Sequence, residues 1–132
     1  MEQDISAQTQ SAREVELWLY EVGIHLCTGT DGVRDTWGPY NSVDLLERIK
    51  LLSYRSGVRR DADLEVLFDI ATHGGADVMG AANYGLAVGC QADFVFVDAT
   101  TTVETIITQP PRSYVVKAGQ IVATQGVYDA RA

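Results

Sequence analysis

The hydrophobic pattern of this chain changes period once, near Gly80, and that change constrains the fold more than any other feature. Upstream, apolar residues recur at helical spacing. Over residues 11–21 the apolar side is Val15, Leu17, Trp18 and Leu19, and Gly23 makes a stop. A second helix starts from Asn41 or Ser42 as cap and carries Val43, Leu46, Ile49 or Lys50, and Leu52 or Ser53, ending at Gly57. A third has Asp61 as candidate N-cap and Leu64, Leu67, Phe68 and Ala71 along one side, and a short helical turn follows around residues 76–79. Downstream the pattern alternates. Phe94 and Phe96 fall on one face and Val95 and Val97 on the other, with Asp98 ending the strand. Residues 114–117 and 120–124 form a hairpin candidate around Ala118-Gly119. The prediction is an α/β chain, helical for two thirds with one strand at residues 23–30 (GIHLCTGT), then β, like pieces of two domains.

A length of 132 residues and 46% hydrophobic content suit one ordinary packed unit and exclude wholesale disorder. Acidic residues outnumber basic ones, 18 to 10, giving a net charge of −8. That argues against nucleic-acid or anionic-membrane surfaces, which need clustered Lys and Arg. The one basic cluster, Arg55, Arg59 and Arg60, runs straight into Asp61 and Asp63. Cys27 and Cys90 form no CxxC pair and read as reduced thiols acting as small core residues. The polar start, MEQDISAQTQSAREVE, is no signal peptide, and no run nears the roughly 20 apolar residues of a membrane span. A cytoplasmic protein is expected.

Residues 28–40, TGTDGVRDTWGPY, pose the chemical question. Asp-Gly between apolar runs is a hairpin signal, so Thr30-Asp31-Gly32 can be a plain turn. Against this, VRDTWGPY is a poor partner strand and reads as a loop. The other reading puts Asp31 at the carboxyl end of a strand that feeds a loop and then a helix. In an α/β barrel, catalytic groups sit at that position, and a carboxylate there can ligate a metal or carry a proton.

Five segments, GTDGVRDTWGPY, VDLLERIKLLSYRSG, ATHGGADVMG, YGLAVGCQADFVFVDA and SYVVKAGQIVA, occur in the order found in metal-dependent amidohydrolases. The chain resembles the cytosine-deaminase-like branch of that superfamily from about Val22 to Thr124. The resemblance implies the C-terminal part of the enzyme. Residues 1–80 would hold the last strand and helices of a (β/α) barrel, and residues 81–132 the C-terminal strands of its small β-sandwich. By the same resemblance Asp31 is a metal ligand and proton carrier, and Trp37 closes over a small cyclic amidine or amide. Two positions depart from the pattern. Gly32 stands where enzymes acting on cytosine carry a second acid, and Thr36 stands where proline is common.

A complete barrel takes about 250 residues, and the family's metal site needs an HxH pair and further histidines. This chain has only His25 and His73. His25, Cys27 and Asp31 share a strand face, but Asp31 lies roughly 20 Å from His25 along an extended strand, too far to close around one ion. His73, before Gly-Gly, reads as a cap or packing residue. Asp93 reads as a structural strand-edge residue, and Tyr114, Val115 and Val116 as sheet core. No HxE/PCxxC deaminase signature, phosphate-binding glycine loop or Ser-His-Asp set is present. The expectation is a C–N hydrolase using zinc or iron when complete, with no metal held and no activity in this chain alone. The alternative is a non-catalytic module that completes a partner or pairs its open strand edges in a homo-oligomer.

Overall fold

Asp44 starts the longest helix of the structure, a computed structural model that describes residues 15–130. Its backbone is extended and its carboxylate accepts the Leu46 N–H at 2.9 Å, so it satisfies one of the open donors of the first turn. The cap was expected at Asn41 or Ser42. Ser42 is committed elsewhere, donating its hydroxyl to Glu47.

Five helices occur among the described residues: α1 Val15–Glu21, α2 Leu45–Ser56, α3 Asp61–Ala71, α4 His73–Met79 and α5 Thr102–Thr108. Residues 11–14 of the first predicted helix lie outside the described residues. Gly57 ends α2 with φ 68°, donating its N–H back to the Ser53 and Tyr54 carbonyls. Asp61 is not the cap of α3 but its first helical residue, after Arg60. There, with Asp63, it faces the positive end of the helix dipole.

The helix α5 was absent from the sequence expectation, although its signal is a capping box. Thr101 Oγ1 accepts the Glu104 N–H at 3.0 Å, and Glu104 Oε2 reaches back to the Thr100 N–H and hydroxyl, both at 2.7 Å. These bonds hold the Glu104 carboxyl below its usual range, with the Thr100 hydroxyl the largest cause. The core joins this helix to the others: Ile49, Leu64, Leu67, Ile70, Ala71, Val103 and Ile106 are buried together. The polar end of Lys50 closes the junction by donating to the Ile107 carbonyl at 2.8 Å.

The sheet is an antiparallel meander, β1 Phe94–Val97, β2 Arg112–Lys117, β3 Gln120–Thr124 and β4 Val127–Tyr128, in that spatial order. Phe94 opposes Val116 and Phe96 opposes Tyr114. On that face Phe94, Phe96 and Tyr114 meet edge to face, with centroids 5.4 and 6.2 Å apart. Val95 and Val97 turn the other way and line a largely apolar cleft of about 780 Å³ shared with Leu46, Ile49, Phe68 and Thr105. The β2–β3 turn is Ala118-Gly119, both at positive φ, 50° and 78°, as a two-residue primed turn requires. Asp93 clamps it. Its carboxylate accepts the Ala118 N–H at 2.7 Å and pairs with Lys117. These partners, the Ala118 N–H first, hold Asp93 below the usual carboxylate range.

Candidate functional site

Residues 24–30 form no helix or turn and belong to no ladder among the described residues, so the strand expected there is not a paired strand. The reason is physical. A strand exists through its neighbours, and no described segment lies alongside to pair with it. Residues 26–29 and 33–36 are not laddered either, so the hairpin alternative is not what the backbone adopts.

The alternation of a strand survives without the ladder. His25, Cys27, Gly29 and Asp31 are exposed, whereas Leu26, Thr28 and Thr30 are half-buried. Leu26 packs against the helical core and faces away from His25 and Cys27. Asp31 therefore ends the exposed face of this segment. Its side chain makes no hydrogen bond or ion pair to a described residue.

Two contacts fix this segment on α4. His25 Nδ1 lies 3.2 Å from Asp77 Oδ2. The Leu26 carbonyl oxygen sits so close to Gly74 that a Cβ there would stand 2.0 Å from it. Beside them, Asp69 gathers Tyr20 and His73. The Tyr20 hydroxyl donates to Asp69 Oδ2 at 2.9 Å, and His73 Nδ1 lies 3.0 Å from Oδ1. The bond to a carboxylate pushes the Tyr20 phenol above its ordinary value, since its ionised form would face a like charge. His73 also meets Tyr84 edge-on, with centroids 5.3 Å apart.

Beyond Asp31 the loop is shaped by Asp35. One carboxylate oxygen accepts the N–H groups of Trp37 and Gly38 at 2.9 and 2.7 Å, an Asx turn that presents Trp37 outward. Trp37 is 94% exposed. Asp31 and Trp37 are legible as candidates in the sequence; Asp35, Asp69, Asp77 and Gly74 are not among the residues expected from it. The Asp35-Thr36-Trp37-Gly38 spacing carried a turn signal. The contacts of Asp69 and Asp77 to distant residues carried none.

Cys27 is exposed and Cys90 half-buried, so neither is the core residue expected from composition. Both are thiols, and Cys90 Sγ donates to the Tyr84 carbonyl at 3.5 Å. No helix among the described residues is long and apolar enough to cross a membrane.

A profile of the amidohydrolase family matches residues 13–123. The chain belongs to the amidohydrolase family. Its relatives fit the cytosine-deaminase-like branch. The N-isopropylammelide isopropyl amidohydrolase of Pseudomonas sp. strain ADP is 33% identical over 110 residues, 83% of this chain and 27% of that protein. The crystal structure of N-isopropylammelide isopropylaminohydrolase from Burkholderia multivorans superposes with a TM-score of 0.83 at 45% identity, over 86% of this chain and 29% of that one. The 5-methylcytosine deaminase of Klebsiella pneumoniae, liganded with 5-fluorocytosine, shares the fold at 23% identity, with a TM-score of 0.76 over 88% of this chain and 28% of that one. The chain thus spans less than a third of the length of these relatives.

Amidohydrolases are generally metal-dependent. The described residues do not make up a metal site. Among the described residues no three His, Cys, Asp or Glu side chains come together around a point that could hold an ion. Asp31 offers a single carboxylate.

Proposed function

We propose that this chain is the C-terminal part of an enzyme that hydrolyses a non-peptide C–N bond of a small cyclic amidine. In this reading residues 1–80 bring the last strand and helices of the barrel, and residues 81–132 bring strands of the small sandwich. The observation that carries it is the placement of Asp31: last on the exposed face of an unladdered segment, free of described partners, and followed by an ordered loop bearing Trp37. A carboxylate so placed takes the proton of the attacking water as the new C–O bond forms, and returns it to the departing nitrogen as the C–N bond breaks. Asp31 is also one ligand of the zinc or iron ion of the complete site, whose other ligands lie beyond this chain. Trp37 covers the flat face of the ring.

The substrate is a ring with an exocyclic amine, of the ammelide kind rather than cytosine. Gly32 offers no second acid to read a cytosine ring. The N-isopropylammelide enzymes share 33% and 45% identity with the chain, and the 5-methylcytosine deaminase 23%. The protein is cytoplasmic, and the chain alone is inactive and self-associating.

The test is a chimera in which this chain replaces the matching portion of the Burkholderia multivorans enzyme. Release of isopropylamine from N-isopropylammelide by the chimera, and none by the chain alone, is expected. A folded, metal-loaded chimera without turnover of that compound or of other amino-substituted rings contradicts the reading.

A further inference from the structure

We infer that Gly74 and Asp77 of helix α4 are positioning residues for Asp31, acting through the segment between them; the inference rests on the function proposed above. The helix touches the segment at two consecutive residues. Asp77 Oδ2 lies 3.2 Å from His25 Nδ1, which fixes a side chain. Gly74 underlies the Leu26 carbonyl, which fixes the backbone.

The backbone contact admits a side chain at position 74 only if the main chain shifts. A Cβ at position 74 would lie 2.0 Å from the Leu26 oxygen and 3.2 Å from its carbon. Both are main-chain atoms that no rotamer change can move aside. The neighbouring glycine differs: a Cβ at Gly75 meets nothing within 4 Å. Two adjacent helical glycines thus face opposite fates on substitution. Alanine favours a helix over glycine at either site, so a loss confined to position 74 cannot come from weakening α4.

The consequence reaches Asp31 because only five residues of unladdered chain, spanning at most about 17 Å, separate it from its seat at Leu26. Leu26 and His25 are its seat, and the face bearing Cys27, Gly29 and Asp31 is open. Displacing the Leu26 carbonyl by the ångström or so that a Cβ demands shifts the line of the whole segment. Displacement of a reacting group by about 1 Å can cost on the order of 100-fold in rate.

The experiment compares Gly74→Ala, Gly75→Ala and Asp77→Ala by two readouts. In the isotope-labelled full chain, Gly74→Ala is expected to move the amide signals of residues 27–31, and Gly75→Ala to leave them in place. In the active chimera, Gly74→Ala is expected to lower kcat about 10- to 100-fold with KM within about threefold, whereas Gly75→Ala matches the parent. Asp77→Ala gives a smaller loss in the same direction, which Asp77→Asn partly restores by keeping an oxygen toward His25. This second pair decides the matter if Gly74→Ala does not fold. Unmoved signals at residues 27–31, equal kcat for the two alanine variants, or a loss in KM alone overturns the inference. Failure of the functional reading looks different: Asp31→Ala would then keep full turnover while the Gly74 signal shifts persist.

Discussion

Arg112 reaches from β2 to Asp44 and donates to Oδ1 at 2.5 Å, the same oxygen that caps α2 through the Leu46 N–H. One carboxylate thereby starts the longest helix and ties it to the sheet across the apolar cleft. Removing it as Asp44→Ala should cost about 1–2 kcal/mol through the lost cap. The ion pair is partly exposed, and its share should stay below about 1 kcal/mol. Asp44→Asn keeps a capping oxygen and should lose only that share. Urea midpoints at unchanged m-value measure both. Equal losses for the two variants would mean that the cap contributes nothing.

Burial separates the structural residues from the candidate site residues. Leu67 is fully buried at the centre of the helical core, and Trp37 is 94% exposed. Leu67→Ala should therefore destabilise by about 2–5 kcal/mol. Trp37→Ala should stay within about 0.5 kcal/mol of the parent. A large stability loss from Trp37→Ala would show that the loop packs onto the core.

Asp35 should hold Trp37 in place. With Trp18 replaced by Phe, Trp37 becomes the one indole reporter, and its fluorescence anisotropy reads the loop directly. Asp35→Ala removes the acceptor of the Trp37 and Gly38 N–H groups and should lower the anisotropy, while Asp35→Asn should largely retain it. An unchanged anisotropy in Asp35→Ala would show that other contacts order the loop.

The helices that bury a stripe were legible because period alone marks them. Leu64, Leu67 and Ala71 were picked out by spacing and all are buried. The hairpin turn at Ala118-Gly119 and the opposed faces of β1 were legible for the same local reason. Helix α5 went unseen because TTVETIIT is rich in β-branched residues, and only its Thr101–Glu104 box spoke for a helix. At the site, the alternation of residues 25–31 was legible from the segment itself. That no described strand pairs with it was not, because pairing is a property of two segments. The seat on Gly74 and Asp77 was hidden for a similar reason: it joins residues about fifty positions apart, and no local pattern records it.

Asp93 should make the hairpin acid-sensitive. Its carboxyl is held below the ordinary aspartate value of 3.8 in the folded chain, so the folded state binds its proton less readily than the unfolded one. Stability from this group is present above 3.8 and is lost as pH falls through the lower folded value. Compared with Asp93→Asn, the parent should be the more stable at neutral pH, with the gap closing below 3.8. Glu104 titrates in both proteins and cancels. A gap that widens toward acid would reverse the assignment.

Open edges should drive association. The outer edge of β1 and the segment at residues 24–30 carry no ladder partner among the described residues. Phe96 and Ile121 expose about half their surface on the sheet. Such edges pair readily with another copy, so light scattering of the dilute chain should give a dimer or larger. A well-folded monomer at micromolar concentration would show that the chain covers its own edges.

Turnover of the chimera with Asp31→Ala tests the role of this carboxylate most directly. Amine release from the ring substrate should fall by at least about 1000-fold, in line with loss of a proton carrier that contributes 100- to 10,000-fold. The folded fraction should match the parent, because Asp31 is exposed and supports no described neighbour. A folded Asp31→Ala chimera that turns over within tenfold of its parent would contradict the assignment of Asp31 to the reaction.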